Sequence, residues 1–203
     1  MILSSDIQIL AKIKKAKRGA LFFINDFVTF GKPDTIRQAL QRLVKSGEID
    51  RVAAGIFVRS QKDEIIGKIM PDIENIAKAI ARRDRARIIP TGDYALNRLG
   101  LSTQVPMNIV YLTDGTARKV KIDNYTIVFK KVAPKNVAAI GKISRLVIQA
   151  LKTIGKENVT EKEIRSIQTV LQNEKTAHLE YDIRLAPAWI QEILKDVLKN
   201  LKK

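Results

Sequence analysis

Thr35, Arg37, Gln38, Gln41, Arg42 and Lys45 fall at intervals that put polar side chains along one side of a helix. Ile36, Ala39, Leu40, Leu43 and Val44, at offsets of three, four, seven and eight from Ile36, take the other side. The polar set has the chemistry of nucleic-acid recognition. Arginine pairs bidentately with guanine and glutamine with adenine, while lysine and threonine meet phosphates or thymine methyls. No carboxylate occurs between Asp34 and Glu48, as a helix entering a phosphate-lined groove requires. In a helix-turn-helix the N-terminal half of the reading helix reaches base edges. Thr35, Arg37, Gln38 and Gln41 are therefore the expected readers, and Arg42 and Lys45 the expected phosphate contacts. Arg51 and Arg59 are expected to flank a hairpin tip and clamp the DNA backbone. Lys14, Lys15, Lys17 and Arg18 offer a second basic run. Any amphipathic helix has a polar side, so the weight comes from this helix together with its neighbours.

Other chemistries are poorly served. Glu74, Asp93, Asp114 and Asp123 are carboxylates of the kind that hold magnesium in nucleases, but Asp114-Gly115 and Asp123-Asn124 read better as turns. His178, the single histidine, has Glu180 and Asp182 close in sequence and reads as a surface or capped side chain. There is no Gly-rich phosphate loop followed by Lys-Ser/Thr. The absence of cysteine removes disulfides, thiolate catalysis and Cys-ligated zinc together. The expectation is a protein that is not an enzyme, with no metal and no cofactor.

The elements that must position the polar helix can be read from its flanks. Ser4 or Ser5 caps a first helix running to about Lys15, and Gly19 breaks it. Phe22, Phe23, Ile24, Phe27 and Val28 suggest a second, shorter helix ending before Gly31. Pro33 opens the polar helix, and Gly47 stops it. Residues 48–52 and 56–59 then alternate about Ala53-Ala54-Gly55, which predicts a hairpin. Beyond a hinge expected at Gln61-Lys62-Asp63-Glu64, a helix is predicted from Pro71 to Asp84 and a helical turn from Tyr94 to Leu99. Strands are predicted at 87–89, 108–112, 120–122 and 125–129. Val137, Ile140, Ile143, Leu146, Val147, Ala150 and Leu151 predict one apolar helical stripe over 136–154. Further helices are expected over 160–172, around Ala177, and from Pro187 to Leu201.

The chain has 203 residues with 37 Lys and Arg against 21 Asp and Glu, a formal charge of +16. The excess is spread as +6 over residues 1–60, +6 over 61–135 and +4 over 136–203, so any positive surface must be made by folding. Such a balance favours a polyanionic partner. No run is long and apolar enough to span a bilayer and no signal-peptide pattern is present, which reads as a soluble cytoplasmic protein.

The segment from Phe27-Val28 through Gly31, then Ile36 to Ile49, Arg51-Val52 and Gly55-Ile56-Phe57, resembles the N-terminal domain of AbiE-type (type IV) antitoxins. Thr91-Gly92-Asp93-Tyr94-Ala95-Leu96-Asn97-Arg98-Leu99-Gly100-Leu101-Ser102-Thr103-Gln104-Val105-Pro106, with Val110-Tyr111-Leu112-Thr113-Asp114-Gly115, is similar to the DUF6088 branch of that group. The likeness covers about residues 1 to 135, and Phe57 stands where a tyrosine is usual. It implies a winged helix-turn-helix on operator repeats, autorepression of a toxin–antitoxin operon, and antagonism of a co-encoded nucleotidyltransferase-like toxin. Within the second block, Leu96, Leu99 and Leu101 read as core, and Asn97, Ser102, Thr103 and Gln104 as groups satisfying local backbone.

The fold expected is α+β, with a winged helix-turn-helix over 1–62, a small mixed α/β domain over 63–135, and a helical C-terminal region over 136–203 packed on it. The function expected is a DNA-binding antitoxin and autorepressor whose partner is double-stranded DNA. The competing reading is a protein-interaction module whose basic surface docks an acidic partner without DNA. Monomer and dimer both stay open.

Overall fold

The computed structural model describes residues 5–65 and 67–201. Helix α1 spans Ser5–Lys15, with Asp6 in its first turn and Lys12, Lys14 and Lys15 in its last, a charge order that suits the helix dipole. Ser4, the alternative cap, lies outside the described residues. Strand β1 (Leu21–Phe23) and a 3-10 helix over Ile24–Phe30 lead to α2 (Pro33–Lys45). Strands β2 (Asp50–Ala53) and β3 (Ile56–Val58) form a hairpin, and β1 pairs with β3 to give the antiparallel order β1-β3-β2. Phe22 and Phe23 thus lie in a strand opposite Phe57 and Ile56, not in the second helix expected for them. Their side chains are 7% and 5% exposed. The aromatic cluster signals burial at either period, and only the partner strand decides between them.

The core of this part joins Ile9 and Ile13 of α1, Phe22, Phe27, four residues of α2, Ile49 and Phe57. Strands β4 (Gln61–Asp63) and β5 (Gly67–Ile69) form a two-stranded ladder. The run expected as a hinge is therefore part of a hairpin. Asp50 ties that hairpin to β2, accepting from Ser60 Oγ and Lys68 Nζ at 2.5 Å each.

Helix α3 (Ile73–Arg83) contains the division between two compact units, which separate at Ile80 and Ala81. The expected boundaries at 62 and 135 are not the ones at which the chain divides. The first unit includes β4, β5 and most of α3.

In the second unit, β6 (Ile88–Thr91), β7 (Asn108–Thr113), β8 (Arg118–Ile122) and β9 (Tyr125–Lys131) form a sheet in the order β6-β7-β9-β8. The β7–β9 pair is parallel and the others antiparallel. Asp123, at φ 49°, makes the expected turn between β8 and β9. Helix α4 (Asp93–Arg98) is followed after the sheet by α5 (Ser144–Ile154), α6 (Glu161–Leu171), α7 (Thr176–Ile183) and α8 (Ala188–Leu201). Leu96, Leu99 and Leu101 share one apolar core with Val147, Leu151, Ile167, Leu179, Ile190 and Leu194. The C-terminal helices and the middle of the chain are thus one folding unit.

The apolar stripe over 136–154 is not one helix. A 3-10 turn occupies Pro134–Val137 and α5 begins only at Ser144. Two carboxylates hold the intervening loop. Asp182, fully buried, accepts the Ile140 N–H at 2.8 Å, the Gly141 N–H at 2.9 Å and the Ser144 hydroxyl at 2.5 Å. Glu174 accepts the Ile143 N–H at 2.6 Å and the Ser144 N–H at 3.1 Å with one oxygen, and the Lys175 N–H at 3.0 Å with the other. Donors that a longer helix would satisfy internally are taken by side chains from α7 and the turn before it. Ile140 is consequently 51% exposed.

Gly141 is required here by close approach. A Cβ at this position would meet Ser144 Oγ, lie 2.7 Å from Glu174 Oε2 and 2.9 Å from Asp182 Oδ2. Gly141→Ala should destabilise the second unit by about 1–3 kcal/mol through overpacking, read as a lower urea midpoint. The Glu174 carboxyl provides a pH test. Burial alone would raise its pKa, but the N–H groups of Ile143, Ser144 and Lys175, together with His178, bring the pKa below the ordinary glutamate value of 4.5. A depressed folded-state pKa gives stability that is full above the unfolded value and is lost as pH falls through the folded one. Urea unfolding from pH 7 down to pH 2 should show this loss below about pH 4.5 in the parent. Glu174→Gln should be less stable at pH 7 and have a shallower acid slope.

Candidate nucleic-acid interface

Helix α2 begins with Pro33 in its first turn and ends on a backbone motif that Gly47 makes possible. With φ at 73°, Gly47 donates its N–H to Val44 O at 3.0 Å, and Glu48 donates to Leu43 O at 3.1 Å. This paired closure satisfies the last carbonyls and turns the chain sharply into β2. The helix buries Ile36, Ala39, Leu40 and Leu43 against α1 and the 3-10 helix. Its outward side exposes Thr35, Arg37, Gln38, Gln41, Arg42 and Lys45.

These six side chains are not equivalent. Arg42 is committed: its Nε and one terminal nitrogen donate to the two oxygens of Asp6 at 2.6 and 2.7 Å. This fork clamps α2 to the first turn of α1, and the Arg42 hydrogen bond holds the Asp6 carboxyl below the ordinary aspartate range. The residue expected as a phosphate contact thus already has a carboxylate partner. Arg37 donates to Asp34 at 2.5 Å one helical turn back. That pair is largely exposed, and such pairs exchange at little cost. Thr35, Gln38, Gln41 and Lys45 have no hydrogen-bond or ion-pair partner among the described residues.

The hairpin meets α2 across a groove of about 520 Å³. Ile24, Val44 and Phe57 give it an apolar floor, while Arg37, Gln41 and Lys45 on one side and Arg51 on the other supply its polar rim. Arg51 is exposed and opposes Phe57 in the β2–β3 ladder. The two elements expected to carry the site are therefore brought together, along with Ile24, whose place in the groove no periodicity signals. Arg59 departs from expectation. It follows β3, away from the tip at Ala54-Gly55, and donates to Lys14 O at 3.0 Å. Its guanidinium caps the C-terminal end of α1 and does not flank the hairpin tip. The basic run before it divides similarly. Lys14 lies 3.5 Å from Glu48 and Arg18 donates to Ser60 O at 3.2 Å, whereas Lys15 and Lys17 are exposed.

Three of the four carboxylates considered for metal chemistry serve other purposes, and the fourth, Asp93, lies in the first turn of α4. Asp114 pairs with Arg87 at 2.8 Å, Glu74 with Lys78 at 2.5 Å, and Asp123 forms the turn already described. Among the described residues no group of three or more His, Asp or Glu side chains is arranged to hold a metal ion. His178 Nδ1 lies 3.6 Å from Glu174 Oε1, a carboxylate that sequence proximity did not single out. Asn97 donates to Ser102 O at 3.3 Å, and Ser102 Oγ accepts the Gln104 N–H at 3.2 Å, so both side chains serve the local backbone. Among the described residues no helix is long and apolar enough to cross a membrane.

A comparison with curated proteins finds no match. The model of DUF6088, described as a family of unknown function, matches residues 8–179. That span takes in α2, the hairpin, the four-stranded sheet and the first half of α7, and the chain therefore belongs to the DUF6088 family.

Proposed function

We propose that the first unit is a winged helix-turn-helix that binds double-stranded DNA, with α2 in the major groove and the β2–β3 hairpin as its wing. One observation carries the reading. The outward side of α2 has no carboxylate after Asp34, and Gln38, Gln41 and Lys45 stand there without partners among the described residues, beside Arg37 and Arg51. Unpartnered amides and cations at an exposed helix surface match the donor and acceptor pattern of base edges and phosphates. The order of α1, 3-10 helix, α2 and hairpin suits the same docking geometry. The formal charge of +16 supplies long-range attraction to a polyanion.

The physiological role we infer is that of an antitoxin and transcriptional autorepressor of a type IV toxin–antitoxin operon. This part rests on the resemblance of residues 27–57 and 91–115 to AbiE-type antitoxins, in which a second domain opposes a nucleotidyltransferase-like toxin.

Fluorescence anisotropy with a duplex from the protein's own upstream region tests the first part. Gln41→Ala should lose about 1–3 kcal/mol of discrimination between that duplex and a scrambled one. Lys45→Ala should weaken binding to both alike and flatten the slope of log K against log salt by about one. Equal binding of parent and both variants would sink the assignment. Co-expression with a nucleotidyltransferase-like toxin, which this reading places beside the protein's own gene, tests the second part. Growth should be rescued by the parent and equally by Gln41→Ala, because the rescue is attributed to the second unit. Absence of rescue by the parent would remove the antitoxin role while leaving DNA binding to stand on its own measurement.

A further inference from the structure

The β4–β5 hairpin ends in a turn whose shape and chemistry disagree. Asp63 pairs with Gly67 at the end of the ladder, and Asp63 Oδ1 accepts the Ile65 N–H at 2.9 Å, which fixes the turn. The residue held at the tip is nevertheless an isoleucine, 94% exposed, where turns ordinarily carry glycine, asparagine or aspartate. Glu64 beside it is exposed and has no partner among the described residues. The tip therefore offers an apolar side chain next to two carboxylates.

The groove between α2 and the β2–β3 hairpin has the opposite character. Ile24, Val44 and Phe57 form its floor, Arg37, Lys45 and Arg51 stand on its rim, and no carboxylate lines it. Phosphates and base edges would use the rim, whereas the floor fits a hydrocarbon side chain. At about 520 Å³ the groove has room for a branched side chain together with the turn that bears it.

We propose that the β4–β5 tip of one copy of this chain seats in this groove on a second copy, with Ile65 on the apolar floor and Asp63 and Glu64 beside the cationic rim. Charge selects the occupant. Most surfaces of a chain with a formal charge of +16 repel one another, and an acidic tip on a cationic groove is a pairing that attracts. The same two carboxylates would repel phosphates, so the tip is unsuited to entering DNA itself. Nor does the tip fill the groove of its own copy, because Ile65 is left in solvent. The contact is heterologous, each copy giving one tip and one groove. It is also small, so the association is weak and depends on concentration. The inference stands without the DNA reading. Under that reading, a filled groove covers Gln41 and Lys45 and withholds α2 from a duplex.

Sedimentation equilibrium of the full chain without DNA, from roughly 10 µM to 1 mM, tests this. The weight-average mass of the parent should rise with concentration. Ile65→Asn removes the apolar tip, and Lys45→Glu combined with Arg51→Glu reverses the rim, all at exposed positions. Each variant alone should associate about tenfold more weakly or less. Mixed in equal amounts, the two should recover the parent affinity as a one-to-one pair, because the first keeps an intact groove and the second an intact tip. That recovery also shows that both variants are folded. A parent of constant mass, Ile65→Asn associating as strongly as the parent, or a mixture no tighter than its components would overturn the proposal. No DNA is present, so failure here leaves the binding of a duplex by α2 to its own measurement.

Discussion

A short helix on the surface of a small unit can bury one stripe, and the stripe it buries fixes what the opposite side offers. Ile36, Ala39, Leu40 and Leu43 of α2 are 0 to 6% exposed against α1, the 3-10 helix and Phe57. Burying the Ile36, Leu40 and Leu43 side chains is worth roughly 1.5–3 kcal/mol each, far more than any surface pair can return. Rotation of α2 about its axis is therefore unavailable. Thr35, Gln38, Gln41 and Lys45 face solvent because the apolar stripe leaves them no alternative. Arg42 reinforces this orientation from outside the core by gripping Asp6 with two hydrogen bonds.

The second unit depends on a different kind of constraint. Its α5 helix cannot continue toward Pro134, because Asp182 and Glu174 take the N–H groups of residues 140, 141, 143 and 144. Two carboxylates inside a basic chain are stable there because each accepts several directed donors, which compensates the cost of removing them from water. The same arrangement fixes where α5 begins and so which of its residues reach the sheet and the core. Val147, Ile148 and Leu151 turn into the core, while Gln149 accepts from the Thr91 hydroxyl of β6.

Positive charge is thus used unevenly. Arg42, Arg59, Arg87 and Arg118 are engaged internally, with Asp6, Lys14 O, Asp114 and Asp84 respectively. Lys45, Lys15 and Lys17 on the first unit and Arg145 and Lys152 on the second have no such partners among the described residues. A formal charge counted along the chain treats these groups alike, yet only the second set can bind a polyanion without breaking an existing contact.

The sequence by itself determined the two-sided character of α2, its limits at Pro33 and Gly47, the hairpin after it, and the mixed α and β composition of the rest. Each follows from local periodicity or from a backbone conformation that few residues adopt, and neither needs knowledge of distant neighbours. Tertiary structure decided the rest. Phe22 and Phe23 became a strand because β3 offered them a ladder, and residues 61–63 paired with 67–69 instead of acting as a hinge. The stripe over 136–154 was interrupted by acceptors some forty residues away, and Arg59 turned to the end of α1. Hydrogen-bond partners brought together by folding leave no trace in the spacing of the residues they join.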